Sequence, residues 1–318
     1  MKQRNLEFCL LLLLLALYTP IVFAETKKNT REWAVSWMLG LHSPQLKALN
    51  EGEFKSPFMG EVELENSAVD LVDVEGVDNV VPITNDLTRA EVRTFSELEP
   101  FDPGPFIGVN FVWKPNERWN LLIGWSMMEM ESQNQTRVQF PLQGTLNEVD
   151  YYRQARINYT DLILGFRRLL YKNRKTRFYG VFTFHQLFDI DYREDHRFSF
   201  TEGQSEGFKR IFIQQAQTTA HLLIELGFGV EYEIFNWMTV EWDAGYMFGT
   251  RKFHLKDLTS RDDFTEEDRF DAANRLPPMV QNNRTGNVMY LAEDGSEYRN
   301  LELSFEGWKT MIKLTLHY

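Results

Sequence analysis

Apolar and polar side chains alternate along the last eleven residues of the chain, 308–318. Trp308, Ile312 and Leu314 fall on one face of an extended backbone, whereas Lys309 and Lys313 fall on the other. A period of two is the side-chain period of a β-strand. The segment is therefore predicted to be a strand with one apolar face and one largely polar face.

The same alternation recurs in seven earlier segments. They are 33–42, 106–113, 119–130, a segment that ends at Phe166, a segment that begins at Phe178, 221–232 and 238–248. Short segments with this dyad pattern are typical of membrane barrels. The predicted fold is all-β, a transmembrane antiparallel up-and-down β-barrel of eight strands with long extracellular loops. Residues 288–301 leave ten strands open as an alternative.

Connections between these segments alternate in length. Residues 114–118, 172–177 and 233–236 are short turns, and 43–104, 131–156, 193–218 and 250–300 are long loops. Membrane barrels place short turns on the periplasmic side and long loops outside. Residues 25–318 are therefore predicted to form a single barrel domain.

Some of the long loops are expected to contain further structure. Residues 189–200 and 208–217 flank a glycine-rich stretch and predict a protruding hairpin, and a similar turn is expected near Gln143-Gly144. Asp294-Gly295 is a hairpin signal between 288–292 and 297–301. Residues 260–263, followed by 264–273, suggest a short capped helix.

Tryptophan placement bears on whether the apolar faces meet lipid. All eight Trp residues lie in or beside the predicted strands (33, 37, 113, 119, 125, 237, 242, 308). Indoles prefer membrane interfaces, so two aromatic girdles are expected. The alternative is a soluble eight-stranded barrel or sandwich whose Trp residues form its core, but its outward face would expose a broad apolar band to water.

The N-terminus carries an export signal. Lys2 and Arg4 precede an apolar run, and Val22-Phe23-Ala24 suits signal peptidase. Residues 1–24 are therefore predicted to be a signal peptide. The single cysteine, Cys9, would leave with it, so the mature chain would contain no disulfide.

Charged residues occupy many inward positions of the predicted strands. They are Asp161, Arg167, Glu225, Glu231, Glu241, Asp243, Lys309 and Lys313. An eight-stranded barrel has an interior only wide enough for side chains, so these charges must pair or meet trapped water. Antiparallel register places Glu241 near Lys313. A static plug is favoured over a charged gate that opens a narrow pore.

The first long loop, 43–104, is strongly acidic. It contains 14 acidic and 4 basic residues within a chain of net charge −12. Such a loop could bind divalent cations, bridge to lipopolysaccharide or meet a basic partner, but a solvated repulsive surface is the simpler interpretation. A second acidic cluster (262, 263, 266, 267, 268) is better explained by helix-start carboxylates than by calcium. Nucleic acid is not expected as a ligand.

Evidence for catalysis is sparse. His185, Asp189, Asp191 and His221 form the only cluster worth naming, at the predicted rim of the barrel. No serine, paired carboxylates or known motif completes a site, and phosphate-loop, CxxC and HExxH motifs are missing. The chain is therefore predicted to be non-enzymatic, without a cofactor or a metal.

By strand count, short turns and terminal Tyr318, the chain resembles the small OmpA-like, OmpX-like and OmpW-like outer-membrane barrels of Gram-negative bacteria. In such proteins the C-terminal aromatic is read by the barrel assembly machinery. The resemblance implies location in the bacterial outer membrane, in contact with lipid and lipopolysaccharide. It is architectural, and many functions share this barrel.

The leading functional hypothesis is a barrel whose surface loops bind an extracellular or envelope partner or protect the envelope. A small-solute or ion pore is the first alternative. A hydrolase at the barrel rim, acting on lipid or peptide, is the second.

Overall fold

The computed structural model describes residues 32–46, 49, 57–63, 81–82, 89–95, 100–142, 145–202, 206–207, 209–249, 253–264, 279–291 and 298–318. They form seventeen β-strands. These are β1 (Trp33–Pro44), β2 (Pro57–Glu63), β3 (Val81–Pro82), β4 (Arg89–Phe95), β5 (Gly104–Asn116), β6 (Trp119–Leu142), β7 (Thr145–Asn173), β8 (Thr176–Glu202), β9 (Lys209–Phe235), β10 (Met238–Gly249), β11 (Phe253–His254), β12 (Lys256–Phe264), β13 (Met279–Gln281), β14 (Val288–Leu291), β15 (Tyr298–Asn300), β16 (Glu302–Leu303) and β17 (Gly307–His317).

Eight of these strands form a ring. Their order is β10, β17, β1, β5, β6, β7, β8 and β9, and β9 pairs with β10 to complete the circle. Each pairing is antiparallel, as in Trp37 opposite Leu314 on one side and Val109 on the other. Each ring strand contains one of the eight segments that alternation predicted, so the all-β antiparallel prediction is confirmed.

The described part of 288–301, which had left ten strands open, does not join the ring. Strand β14 pairs with β13 and β15 in a separate three-stranded sheet. The β14–β15 pairing, with Leu291 opposite Tyr298, confirms the hairpin expected around Asp294-Gly295, although those two residues lie outside the described ones. This small sheet contacts Arg153 of β7, Glu194 of β8 and Gln214 of β9, in the parts of these strands that extend beyond the ring.

Strands β6 to β9 continue well past their ring neighbours. They contain 24, 29, 27 and 27 residues, whereas β1, β5, β10 and β17 contain 11 to 13. We call the end of the ring that carries the short turns its lower end. Beyond the upper end, β6 to β9 together with β12 form a five-stranded sheet that we call the extension. Most of 131–156 and 193–218 is therefore paired strand, as the hairpin patterns predicted.

The prediction of a capped helix that begins near Ser260 is wrong for residues 260–264, which the structure describes. Residues 260–264 lie in β12 and pair with β9, for example Ser260 with Gln214. The unpaired edge of β9 supplies backbone partners, and this outweighs the local capping signal. Residues 265–273 lie outside the described ones.

The two faces of the ring differ in chemistry. Inward positions are buried, whereas outward ones expose large apolar side chains, including Leu39 at 62%, Leu164 at 58% and Ile312 at 59%. In the extension the same outward face is mostly polar, with Arg156 and Tyr152 on β7 in line with Leu162 and Leu164 below, although Ile211 of β9 is also exposed there. Most of the exposed apolar surface is therefore a belt around the ring.

A β-bulge in β8 reverses the side-chain alternation at the base of the extension. Asp189 has a positive φ of 49°, and both Asp189 and Ile190 lie opposite the single residue Tyr159. Aspartate tolerates this left-handed conformation better than most residues. Below the bulge odd-numbered residues of β8 face inward, and above it even-numbered residues do.

Parts of the chain are described only in outline. Strands β2, β4 and β3 form a small sheet within the first long connection. Almost all of the acidic side chains predicted to dominate 43–104 lie outside the described residues. The predicted signal peptide, 1–24, also lies outside them. Among the described residues, no helix has the length and apolar character needed to cross a membrane.

Candidate functional site

The lower interior of the ring contains a network of ion pairs. Arg167 on β7 donates to Glu241 at 2.6 Å and to Asp243 at 3.5 Å, both on β10. Lys313 on β17 also donates to Asp243. All four side chains are almost fully buried. The register does place Glu241 opposite Lys313, as predicted, but Lys313 bonds diagonally to Asp243.

A histidine lies at the centre of a second network, further up. His185 contacts Asp161 through Nδ1 at 2.7 Å and Glu225 through Nε2 at 2.8 Å. Lys309 reaches Asp161 at 3.5 Å, and Thr183 donates to Glu225 at 3.0 Å. The predicted charge network did not include His185, because the sequence does not show whether a histidine is charged. Its contacts with Asp161 and Glu225 could have been inferred, because all three residues fall on inward positions of neighbouring strands.

Glu231 is the remaining member of the predicted set. It lies near the turn end of the ring and accepts from Arg177, which also contacts Glu233 at 3.2 Å. Glu231 is buried, whereas Arg177 is partly exposed. All eight predicted charges therefore lie inside the ring. They form one column, with Glu231 nearest the short turns, the Arg167 network above it and the His185 network at the top.

Glycines on the inner wall make room for these side chains. A Cβ placed on Gly229 would lie 2.1 Å from Oδ1 of Asp243, and one on Gly245 would lie 2.5 Å from Oε1 of Glu225. Both distances are far below van der Waals contact. The interior is thus packed around the carboxylates, and the glycines are part of that packing.

The predicted rim cluster does not assemble. His185 belongs to the interior network, and Asp189 is exposed at the bulge. Asp191 points to the outer face, where Gln215 donates to it at 2.9 Å. His221 packs at a tilt against Phe253, with ring centroids 5.0 Å apart. The bulge caused this error, because it reverses the faces that simple alternation assigned to Asp189 and Asp191.

Aromatic rings close the upper end of the ring. Tyr159 donates to or accepts from His42 at 2.7 Å and packs edge-on against Phe305 at 5.1 Å. Phe305 in turn stacks on Phe253 at 5.1 Å. Phe253 and Phe305 both lie between β10 and β17 in the sequence, so described residues of this part of the chain cover the mouth of the ring.

The inner face of the extension contains a buried ionic cluster. Arg153 Nη2 donates to Glu194 Oε1 at 3.0 Å, and His196 Nε2 contacts Glu194 Oε2 at 3.0 Å. Tyr290 of β14 donates to the same carboxylate at 2.8 Å. Tyr151 contacts His196 Nδ1 at 2.7 Å. We call Arg153, Glu194 and Tyr290 the clasp, because Tyr290 joins the small sheet to the extension.

Burial and the ion pair shift the titration of this cluster. Burial alone raises the pKa of Glu194, but Arg153 and the bond to His196 outweigh it and hold that pKa well below its ordinary value. Burial lowers the pKa of His196, against the pull of Glu194. The neutral imidazole then donates through Nε2 and accepts from Tyr151 through Nδ1, which satisfies both ring nitrogens.

A second contact joins the small sheet to β9. The Gln214 side chain donates to the Met279 carbonyl at 2.8 Å and accepts from the Met279 N–H at 2.8 Å. This amide pairs with the backbone as a neighbouring strand would. The sequence offered no signal for it, because the two residues are 65 positions apart.

No metal site is apparent in the part of the chain that the structure describes, where no three His, Cys, Asp or Glu residues are grouped for coordination. Asp262 and Asp263 lie in β12, and Arg261 pairs with Asp263 at 2.8 Å. The other acidic residues of that predicted cluster, 266–268, lie outside the described residues.

Comparison with known proteins finds a distant likeness to solved structures. No family model matches the chain, and no curated protein does. Two solved structures from Acinetobacter baumannii, CarO and CarO2, share 11% and 10% identity at TM-scores of 0.28 and 0.27. They cover 67% and 70% of this chain, and 92% and 100% of their own lengths. A FadL homologue from Pseudomonas aeruginosa has 7% identity, a TM-score of 0.21 and 90% coverage of both chains. A likeness this distant does not assign the chain to a family.

Proposed function

We propose that the chain is an integral outer-membrane β-barrel protein, without enzymatic activity, that holds a rigid β-sheet outside the membrane as a binding surface. The proposal rests on an abrupt change from apolar to charged side chains along the outward face of one strand. On β7, Leu162 and Leu164 face outward in the ring, whereas Arg156 faces outward in the extension. A belt of exposed apolar side chains that ends at one level fits an acyl layer with water above it.

Aromatic pairs at both ends of the belt support a membrane location. Trp33 and Trp113 stack at 6.0 Å near the short turns. Tyr246 and Trp308 pack edge-on at 5.3 Å near the opposite end. Indole and phenol rings favour the two membrane interfaces, so these two pairs support the proposal of a hydrocarbon layer between them.

The filled interior argues for a scaffold rather than a pore. The column from Glu231 to His185 is buried, and the aromatic group around Phe305 covers its upper end. Barrels of eight strands are filled by side chains in this way. A pore would need the ion pairs to separate, which leaves uncompensated buried charges.

The extension is the part available to a partner. Four long strands and β12 carry it beyond the belt, and the clasp fixes the small sheet onto its inner face. Surface segments held by a rigid scaffold commonly bind partners. An extracellular or envelope protein is the proposed partner class, and recognition of Tyr318 by the assembly machinery is the proposed route of insertion.

Site-directed labelling in whole cells tests this orientation. The mature chain is predicted to lack cysteine, so Gln133→Cys in the extension and Asn236→Cys in a short turn each introduce a single thiol. A membrane-impermeant maleimide should label Gln133→Cys on intact cells and Asn236→Cys only after lysis. Equal labelling of both variants, or a purified chain that stays folded and monodisperse without detergent, would contradict the proposal.

Planar bilayers test the pore alternative separately. The reconstituted protein should insert without discrete conductance steps, because its interior is packed. Steps whose size changes in Glu241→Gln would support the alternative of a charged gate.

A further inference from the structure

Basic residues are concentrated at the lower end of the ring, in and beside two of its short turns. The segments 114–119 and 168–178 contain seven basic residues and one acidic residue, although the whole chain has a net charge of −12. The two turns are neighbours, because the Leu169 N–H donates to the Arg118 carbonyl at 2.8 Å. Their basic side chains therefore belong to one continuous surface.

Two of the seven basic residues already have partners within the ring. Arg177 contacts Glu231 and Glu233, and Lys114 lies 3.0 Å from His317. The other five are exposed, and none of them forms an ion pair within the described part of the chain. We call these five the basic patch: Arg118, Arg168, Lys172, Arg174 and Lys175.

Nearby carboxylates do not balance the basic patch. Glu117 is the only acidic residue in the two segments, and it stands against five cations. Glu233, from the third short turn, is bonded to Arg177 at 3.2 Å. Glu32 lies further round the ring, where its carbonyl accepts from the Lys114 N–H. The patch therefore keeps a large excess of positive charge that faces solvent.

Apolar side chains lie directly beside these cations. Leu170 is 66% exposed and Tyr171 is 58% exposed, and Phe178 packs against Tyr171 with ring centroids 5.9 Å apart. A register shift leaves Leu170 without a partner in β8, so it and the next residue are both exposed. Arg168 lies over the Trp119 ring, 5.6 Å from its centroid. Aromatic and aliphatic groups beside Lys and Arg are typical of a membrane interface.

The spacing between the apolar residues and the cations indicates which layer the cations occupy. Lys172 is two residues beyond Leu170 and Arg174 is four, which is ~7 Å and ~13 Å along a strand. At a strand tilt of ~45° these lengths correspond to heights of ~5 Å and ~9 Å. The headgroup region on each side of a bilayer is ~5–8 Å thick. The tip of the turn therefore lies at the level of headgroups when Leu170 contacts acyl chains.

The backbone of the β7–β8 turn does not explain its charge. Arg174 has a positive φ of 35° in the two-residue turn between Asn173 and Thr176. Glycine and asparagine adopt this left-handed conformation at a lower free energy than arginine. A cation at this position therefore costs local stability, which is consistent with a role in binding.

We propose that the basic patch binds the phosphate groups of anionic phospholipids in the membrane leaflet that surrounds the short turns. Guanidinium groups donate paired hydrogen bonds to phosphate oxygens, and the two lysines add point charges. Each basic residue beside an anionic surface strengthens binding by about fivefold. The inference rests on the proposed membrane location, and it assigns a lipid class to the end of the ring opposite the extension.

Lipid titration of the full chain tests the inference. Phosphatidylglycerol would be added to the folded protein in neutral detergent, and retained lipid would be measured by native mass spectrometry. We expect the triple variant Lys172→Gln/Arg174→Gly/Lys175→Gln to lose ~10-fold or more in affinity. Glycine at 174 suits the positive φ, so the turn itself should be preserved.

A control variant removes the same charge from the other end of the molecule. Arg137→Gln/Arg197→Gln/Arg261→Gln replaces three exposed arginines of the extension. This variant should bind phosphatidylglycerol as the native chain does. The double variant Arg118→Gln/Arg168→Gln leaves the β7–β8 turn untouched and should show a smaller loss in the same direction as the triple variant of that turn.

Two further arms identify the partner. Phosphatidylethanolamine, which has no net charge, should bind the native chain and the triple variant of the turn equally. Equal affinity of both triple variants for phosphatidylglycerol, or no preference for it over phosphatidylethanolamine, would overturn the inference. Sedimentation with isolated peptidoglycan that depends on the turn, without any change in lipid affinity, would identify a cell-wall polymer instead and would also overturn it.

The two proposals fail separately. A chain that folds in detergent and inserts in liposomes, yet does not distinguish the two phospholipids, contradicts only the basic patch. A chain that needs no detergent contradicts the membrane location itself.

Discussion

Arg153 and Glu194 form an ion pair 3.0 Å long in the extension, and both side chains are almost completely shielded from water. Buried ion pairs of this kind are only stable when further hydrogen bonds satisfy the remaining lone pairs. Tyr290, Tyr192 and His196 supply them. Tyr290, a residue of the last long connection, thus helps to stabilise an ion pair between β7 and β8.

Tyr290→Phe should loosen the small sheet. The variant keeps the ring but removes the hydroxyl from a buried carboxylate, which should cost about 1–3 kcal/mol of local stability. Hydrogen exchange of residues 279–291 should accelerate, while exchange in the ring strands stays unchanged. Tyr152→Phe is the control, because its hydroxyl bonds to Gln133 on the solvated outer face and its loss should have little effect. Equal exchange in both variants would show that the clasp does not hold the sheet.

Acidification should weaken the extension before it affects Glu194. His196 has a lowered pKa in the folded chain, so the unfolded segment binds the proton more readily. The stability it contributes is complete above its unfolded pKa of about 6.5 and is lost as the pH falls below that value. Glu194, whose pKa is also lowered, adds a second loss only below about pH 4.3.

Limited proteolysis of the extension at pH 7.5 and pH 5.5 measures this effect. Cleavage should increase at the lower pH in the native chain, and the increase should be much smaller in His196→Gln. A pH response that persists unchanged in the variant would assign it to another group.

Lys313→Met should destabilise the ring without opening it. The variant leaves Asp243 with Arg167 as its remaining cation at 3.5 Å, and losing one partner of a buried pair costs about 3–5 kcal/mol. The midpoint of urea unfolding in detergent should fall, and planar bilayers should still show no conductance steps. A stable variant that conducts would instead indicate a gate at this position.

Gly229→Ala should be strongly destabilising, and Gly180→Ala should not. The new Cβ at Gly229 would meet Asp243 at 2.1 Å, whereas at Gly180 the nearest atom is Leu170 Cδ1 at 3.7 Å. Overpacking of this kind costs about 1–3 kcal/mol. Urea unfolding of the two variants side by side isolates the steric effect, because both replace a strand glycine by alanine. Similar losses in both would show that Asp243 can move away.

Leu164→Arg distinguishes a lipid-facing belt from a water-facing one. Leu164 is 58% exposed, so in water an arginine there should be nearly neutral. Near the middle of a bilayer the same change costs about 2–4 kcal/mol. Unfolding from liposomes should show this loss for Leu164→Arg and not for Gln133→Arg in the extension. Equal stability of the two variants in liposomes would place Leu164 outside the acyl layer.

Local patterns determined the strands and the inner and outer faces of the ring. Side-chain direction in an extended backbone follows from residue parity, so alternation alone located Glu241 and Lys313 on the inner wall. Loop length and turn residues likewise predicted the protruding hairpins and the β14–β15 pairing. These features depend on residues that are close together in the chain.

Only the tertiary structure decided which charges pair, which faces change and what covers the ring. Lys313 bonds to Asp243 because side chains reach diagonally across a packed interior, which register alone does not specify. The bulge at Asp189 reversed the assignment of Asp191, and Tyr290 joined Glu194 across 96 positions of sequence. Such contacts depend on the closure of the whole sheet, so no short segment of the sequence contains them.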